Sequence, residues 1–162
     1  MDLLPFDEYV RSLNRKRMSA GVLYYDDADR ILLVEPSYKP HWDIPGGACE
    51  AEEAPWRTAA REVGEELGIA ATPGDLLVID YMPTSDRMPE GLAFIFDGGA
   101  ISEAEVKALE ITDPEILSAE LVSLADATAR LKPSLARRLA IALEAAHTRT
   151  LAICDNGVRA QR

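Results

Sequence analysis

Residues 47–69, reading G-A-C-E-A-E-E-A-P-W-R-T-A-A-R-E-V-G-E-E-L-G-I, constrain what this chain can fold into more than any other stretch. Pro55 suits the first position of a helix and Gly68 the left-handed residue that ends one, so a helix is expected between them. On that helix Glu62, Glu65 and Glu66 stand at i, i+3 and i+4. Their carboxylates then share one face and repel at a cost of roughly 0.2 to 0.5 kcal/mol per pair. A cation is expected among them. Clustered oxygen ligands suit magnesium, manganese or calcium, whereas zinc prefers nitrogen and sulfur. Trp56, Ala60, Val63 and Leu67 recur at helical spacing on the opposite side and form the stripe expected to dock on a core. Ala54 stands where a Ser or Asp cap is usual, a departure worth about 1 kcal/mol of helix stability.

The segment resembles the signature of the Nudix hydrolases: Gly, five residues, Glu, seven residues, then Arg-Glu-aliphatic-any-Glu-Glu-any-Gly-aliphatic. Gly47, Glu53, Arg61, Glu62, Val63, Glu65, Glu66, Gly68 and Ile69 fill its positions. The run from Trp42 through Pro45, Gly46 and Gly47 is similar to what precedes the signature in many members. The resemblance implies an α/β/α sandwich with a mixed β-sheet, the signature helix on one face and the C-terminal helix on the other. It also implies a metal-dependent pyrophosphohydrolase acting on phosphorus-containing acid anhydrides. Its substrate would be a nucleoside diphosphate linked to another moiety: a nucleoside triphosphate, a nucleotide sugar such as ADP-ribose, or a dinucleoside polyphosphate.

By the same resemblance the metal is Mg2+, or Mn2+ in its place, held by Glu62, Glu65, Glu66 and a main-chain carbonyl that maps to Gly46. Arg61 orients the carboxylates. Glu115 best matches a glutamate that in some members approaches the metals or serves as base, with Glu110 and Glu120 as near alternatives. Leu121 stands where a tryptophan is usual. Dimers are common among such proteins, so a homodimer is one expectation for this chain.

Composition narrows the class. A chain of 162 residues with 48% hydrophobic and 28% charged residues reads as one globular domain over 1–162. A formal net charge of -11 excludes a protein that tracks nucleic-acid phosphates on a basic face. It also sits awkwardly with a polyphosphate substrate, so a metal or a local basic patch must reverse the field in the site. Cys49 and Cys154 make no disulfide framework, and no signal peptide or long apolar run is evident, so the protein reads as cytoplasmic and free of membranes. A zinc site from Cys49, Cys154, His41 and His147 lacks ligand spacing. A catalytically silent Nudix-fold nucleotide-binding sensor would usually have lost a signature carboxylate, and none is lost.

Along the chain, residues 1–17 form a helical lead, amphipathic around Phe6, Tyr9, Val10 and Leu13 and ending in Arg15, Lys16 and Arg17. Residues 18–25 and 30–35 are expected to pair as a hairpin turning at 26–29. The 36–45 loop carries Tyr38, Lys39, His41 and Trp42; Lys39 is a candidate phosphate contact, and Trp42 either packs the loop or stacks a base. Strands are expected at 76–82 and 91–97, joined by the polar 83–90 loop, where Arg87 can meet phosphate and Tyr81 can stack a base. Residues 102–111 read as helix or loop and 119–124 as a strand. Residues 133–148 form a helix with Leu135, Leu139, Leu143 and Ala146 on one face, and a terminal hairpin turns at Asp155, Asn156 and Gly157, so that 133–160 is helix plus hairpin.

Overall fold

The computed structural model of the chain describes residues 3–70 and 72–161. Met1, Asp2, Ala71 and Arg162, which the expected 1–162 domain includes, lie outside the described residues. The elements are α1 (Phe6–Ser12), β1 (Arg17–Tyr25), β2 (Ile31–Pro36), β3 (Gly46–Ala48), α2 (Pro55–Leu67), β4 (Leu76–Met82), β5 (Gly91–Ala100), α3 (Glu103–Lys107), β6 (Ile116–Val122), α4 (Leu124–Ala127), α5 (Pro133–Thr148), β7 (Ala152–Asp155) and β8 (Val158–Arg159). The strands form one sheet in the order β6-β2-β1-β5-β4-β7-β8, with β3 paired to β1 beside that path. β1 with β5 and β4 with β7 run parallel, and the other pairs run antiparallel, so the sheet is mixed.

Side chains on a strand alternate between faces, and here the alternation builds two cores. Ala20, Val22 and Tyr24 of β1 and Leu32 and Val34 of β2 meet Ala59, Val63 and Leu67 of α2. Leu23, Ile31 and Leu33 point the other way and meet Leu139, Ala142, Leu143 and Ala145 of α5. The result is the expected α/β/α sandwich with one helix on each face. Among the described residues no helix is long and apolar enough to cross a membrane.

Local punctuation fixes most boundaries. Pro55 opens α2, and Gly68 closes it at φ 68° with its N–H bonded back to the Gly64 carbonyl. β4 and α5 cover the expected residues 76–82 and 133–148. Two expectations are corrected. Trp56 is 60% exposed and Ala60 only half buried; the docked face is Thr58, Ala59, Val63, Glu66 and Leu67, so one of the acidic residues is turned toward the core. The strand expected at 119–124 runs from Ile116 to Val122 because Ser123 accepts the Asp126 N–H and starts α4. Gly46 and Gly47 lie in β3. The amphipathic lead does form a helix, α1, but among the described residues it buries none of its apolar face.

The splitting of one strand edge positions the signature. β2 pairs with β1 at Tyr25 and then leaves to pair with β6 along its length. The vacated edge of β1 takes the 43–49 segment: Val22 donates to the Pro45 carbonyl at 2.9 Å, Gly21 and Ala20 pair with Gly46 and Gly47, and Cys49 donates to Met18 at 2.9 Å. The two glycines therefore lie flat on the sheet beneath α2.

On the opposite face a buried charge ties the C-terminal hairpin down. Asp80 is fully buried, accepts Arg138 Nε at 2.5 Å and accepts the Gly157 N–H at 2.9 Å. Asp80→Ala leaves the Arg138 cation and that amide without a partner, so it is expected to cost about 3 to 5 kcal/mol. Urea melts at neutral pH measure this; a loss below about 1 kcal/mol would mean that the hairpin is held by its apolar side chains alone.

Candidate active site

The site is built where α2 lies over β3. Gly46 has φ 153°, and a Cβ there would run into the Ala20 carbonyl, so only glycine lets β3 approach β1 this closely. A Cβ on Gly47 would collide with the Glu62 carboxylate. The backbone is thus bare where the carboxylates press on it, and the Gly46 N–H donates to Glu66 Oε2 at 2.9 Å.

Arg61 stands at the centre of the acidic face. Its Nε donates to Glu53 Oε1 at 2.8 Å and its Nη2 to Glu53 Oε2 at 3.0 Å, a two-pronged grip that suits the planar guanidinium. Nη1 reaches Glu62 at 2.8 Å and Glu65 at 3.1 Å. Glu53 also accepts from the buried Thr58 hydroxyl at 2.7 Å, and the Arg61 bond above all, then these others, hold its carboxyl down to about 2. Arg61 is therefore fixed at one end by Glu53 and spreads the signature carboxylates at the other.

Glu62 and Glu66 are in the opposite condition. Burial raises the Glu62 carboxyl although Arg61 opposes it. Burial pushes Glu66 up to about 8; the Gly46 amide opposes the shift, and the charges of Glu62, Asp43 and Asp113 add to it. Asp43 and Asp113 are the carboxylates whose field reaches Glu66. The only sequence signal for them is position, Asp43 just before the Pro-Gly-Gly run and Asp113 in Thr-Asp-Pro-Glu. Glu115 is exposed; its amide donates to Asp113 Oδ1 at 2.8 Å and its carbonyl accepts from Ser37 at 2.7 Å, which sets its charge beside Tyr38.

Among the described residues no three His, Cys, Asp or Glu side chains close on one point as a ready metal cage. Arg61 accounts for that, because it occupies Glu53, Glu62 and Glu65. The donor set still fits a hard divalent cation. It consists of carboxylate oxygens and the bared backbone of Gly46, it includes the buried Glu66 carboxylate and the half-buried Glu62 carboxylate, and it offers no thiolate or imidazole.

Around this centre the remaining expected residues fall on two sides. Lys39 pairs with Asp43 at 2.6 Å and lies 5.4 Å from the Tyr38 ring; burial works against its charge, but Asp43 outweighs burial and raises its pKa. Trp42 packs on the α5-side core with the Arg130 guanidinium 4.6 Å from its ring centre. Tyr81 stands across the sheet, in register with Leu92 and through it with Met18. Arg87 is exposed in the 83–90 loop and makes no ion pair among the described residues. Met18, Leu92, Phe94, Ile79 and Tyr81 are all half-buried on the α2 face of the sheet, an apolar floor leading away from Gly47. A separate cavity of about 530 Å³, lined by Tyr25, Asp75, Asp97 and Arg149, opens at the other end of β1 and shares no residue with the site.

Comparison with known proteins gives these features a context. The family profile of the NUDIX domain matches residues 15–143. Diphosphoinositol polyphosphate phosphohydrolase 2 of Rattus norvegicus is 42% identical over 72 residues, covering 44% of this chain and 40% of that protein. The chain thus spans less than half the length of the curated relatives it matches. The crystal structure of a MutT protein from Methanosarcina mazei Go1 superposes with a TM-score of 0.63 at 25% identity, covering 85% of this chain and 98% of that one. The NUDIX domain of Shewanella oneidensis NrtR, complexed with ADP ribose, shares the fold with a TM-score of 0.64 at 18% identity, covering 90% and 99%.

The raised Glu66 value generates a prediction for the metal-free protein. A carboxyl whose folded value lies above its ordinary 4.5 stabilises the fold while protonated, so the contribution is complete below that value and is lost as pH rises through about 8. The thermal midpoint in EDTA is expected to fall between about pH 5 and about pH 8.5. Magnesium should restore it at the upper end, and Glu66→Gln should flatten the dependence. Melts followed by circular dichroism check this, and a wild-type midpoint that is level across the range would refute it.

Proposed function

Because the chain belongs to the Nudix family, we propose that it hydrolyses the pyrophosphate linkage of a nucleoside diphosphate joined to another moiety. Nucleoside triphosphates, nucleotide sugars such as ADP-ribose and dinucleoside polyphosphates all have that linkage. Magnesium, or manganese in its place, would be held by Glu62, Glu65, Glu66 and the Gly46 carbonyl. The observation that carries the reading is the packing of the buried Glu66 and the half-buried Glu62 against bare glycine backbone, with the Gly46 amide on Glu66 and Arg61 on Glu62 to offset their charge.

When bound, the divalent ion supplies charge neutralisation of the pyrophosphate oxygens and lowers the pKa of a water. The protein's own groups do the rest. Arg61, fastened by Glu53, keeps the carboxylates in register and contacts no substrate itself. A carboxylate of the cluster, or Glu115, accepts the water's proton. Lys39 and Arg87 meet substrate phosphate from opposite sides, Trp42 steadies the loop that bears Lys39, and Tyr81 borders the space for the base. The products are a nucleoside monophosphate and a second phosphate-bearing fragment.

The curated relatives are named for diphosphoinositol polyphosphate, a ligand with phosphate around its whole ring. The surroundings of this site favour a nucleoside instead. Beyond Lys39 and Arg87, Lys16 is paired to Glu90 and Arg130 to Glu120, so few further cations are free to meet a polyphosphorylated ring. The floor beside Gly47 is apolar and aromatic, which suits a planar base.

Turnover of a panel containing nucleoside triphosphates, ADP-ribose, a dinucleoside polyphosphate and a diphosphoinositol polyphosphate, with product identification, tests the reading. Hydrolysis of a nucleoside member is expected with magnesium and is expected to vanish in excess EDTA. Glu66→Gln should lower the rate by at least about a hundredfold, the range for a lost charge-stabilising group. Full turnover in EDTA would sink the proposal, and tight nucleotide binding without turnover would make the protein a sensor. Val63→Ala is the scaffold control: a cavity under α2 should cost roughly 1 to 3 kcal/mol of stability and spare most of the rate per folded molecule.

A further inference from the structure

The far wall of the apolar floor, across the sheet from Gly47, carries a cluster outside the signature. Met18, whose carbonyl accepts from Cys49, lies opposite Leu92, and Leu92 lies opposite Tyr81. Neighbouring strands are about 4.8 Å apart, so the Tyr81 backbone stands about 10 Å from Met18 on the same face of the sheet. Gly47 lies one strand beyond, paired with Ala20, so about 14 Å or more of sheet separates it from Tyr81, a gap that the base end of a substrate and not its pyrophosphate would cross. The Tyr81 hydroxyl donates to Glu90 Oε2 at 2.5 Å, and the Lys16 ammonium donates to the other oxygen of the same carboxylate while lying 5.8 Å from the Tyr81 ring centre. Arg17 Nε donates to the Pro89 carbonyl at 2.6 Å, and the Glu90 amide donates to Thr84 Oγ1 at 3.1 Å. One carboxylate thus joins the entry of β1, the aromatic ring and the 83–90 loop.

We propose that Glu90 determines which group the site accepts beyond the pyrophosphate: by holding the Tyr81 ring in place and neutralising Lys16, it fits the wall to an uncharged planar base and turns away a phosphorylated ring. The inference rests on the nucleoside reading above and deepens it. A free lysine at this wall would make charge-assisted hydrogen bonds to phosphate. Bound by Glu90, it contributes no net charge to draw in an incoming phosphate. Tyr81, with its hydroxyl spoken for, offers its ring as a fixed edge or face for stacking.

Steady-state kinetics with magnesium on two substrates, a nucleoside triphosphate and a diphosphoinositol pentakisphosphate, separates this role from simple fastening of the loop. For the nucleoside substrate Glu90→Gln is expected to raise KM about tenfold with kcat moving less than about twofold, because binding and not the chemical step is affected. For the polyphosphate substrate the same variant should lower KM, and adding Lys16→Met should abolish that gain. Tyr81→Phe should raise KM for the nucleoside substrate at least as much as Glu90→Gln does, and the double variant should raise it no further than Tyr81→Phe alone, since Tyr81→Phe removes the bond that Glu90→Gln only weakens to a neutral one. If Glu90→Gln melts early, Tyr81→Phe, which keeps the ring, carries the test through its KM. KM values that shift together for both substrates, or that do not shift, overturn the proposal while leaving the nucleoside reading intact. A wild-type protein that prefers the diphosphoinositol substrate overturns both.

Discussion

The contact on which the rest depends is the pressing of the Glu62 and Glu66 carboxylates onto the Gly46–Gly47 backbone. It requires a helix, because only a helix sets the two side chains one turn apart on a common face. It requires glycine, because any Cβ at either position would fill the space the carboxylates or the Ala20 carbonyl occupy. It also requires β2 to leave β1, since otherwise no edge would be open to receive β3. The split in the sheet and the composition of the signature are therefore one constraint seen at two scales.

Much of this was legible in the sequence because its causes are local. Pro55 and Gly68 act through their own φ angles, and α2 begins and ends where they dictate. Alternation within 31–34 places Leu32 and Val34 on one core and Ile31 and Leu33 on the other, which is the sandwich in miniature. What was not legible depends on partners far along the chain. Trp56 has the spacing of a core residue, yet the core lies one position over, where Ala59 and Val63 meet β1. Asp43 and Asp113 become neighbours of Glu66 only when the 36–45 loop and the approach to β6 are folded around α2, and no periodicity announces that. Glu90 looked like loop filling until the pairing of β4 with β5 brought it to Tyr81 and Lys16.

A protein that handles anions would be expected to carry cations around its site, but here most are already paired: Arg61 with Glu53, Glu62 and Glu65, Lys39 with Asp43, Lys16 with Glu90. Such exposed or half-exposed pairs contribute little to stability. They hold cations in fixed places while cancelling the long-range field that would draw in any polyanion.

The two faces of the sheet divide the work between them. Under α5 the one buried charge pair is fully satisfied: Asp80 receives Arg138 and the Gly157 amide, and Cys154, Leu139 and Leu143 pack beside it in an otherwise apolar core. Under α2 the buried charge is left short of partners, and Glu66 sits where its ionised form is disfavoured. Because the sheet separates these two kinds of burial, the α5 side can be optimised for stability, and the α2 side can keep a carboxylate in an unfavourable setting that a cation would relieve.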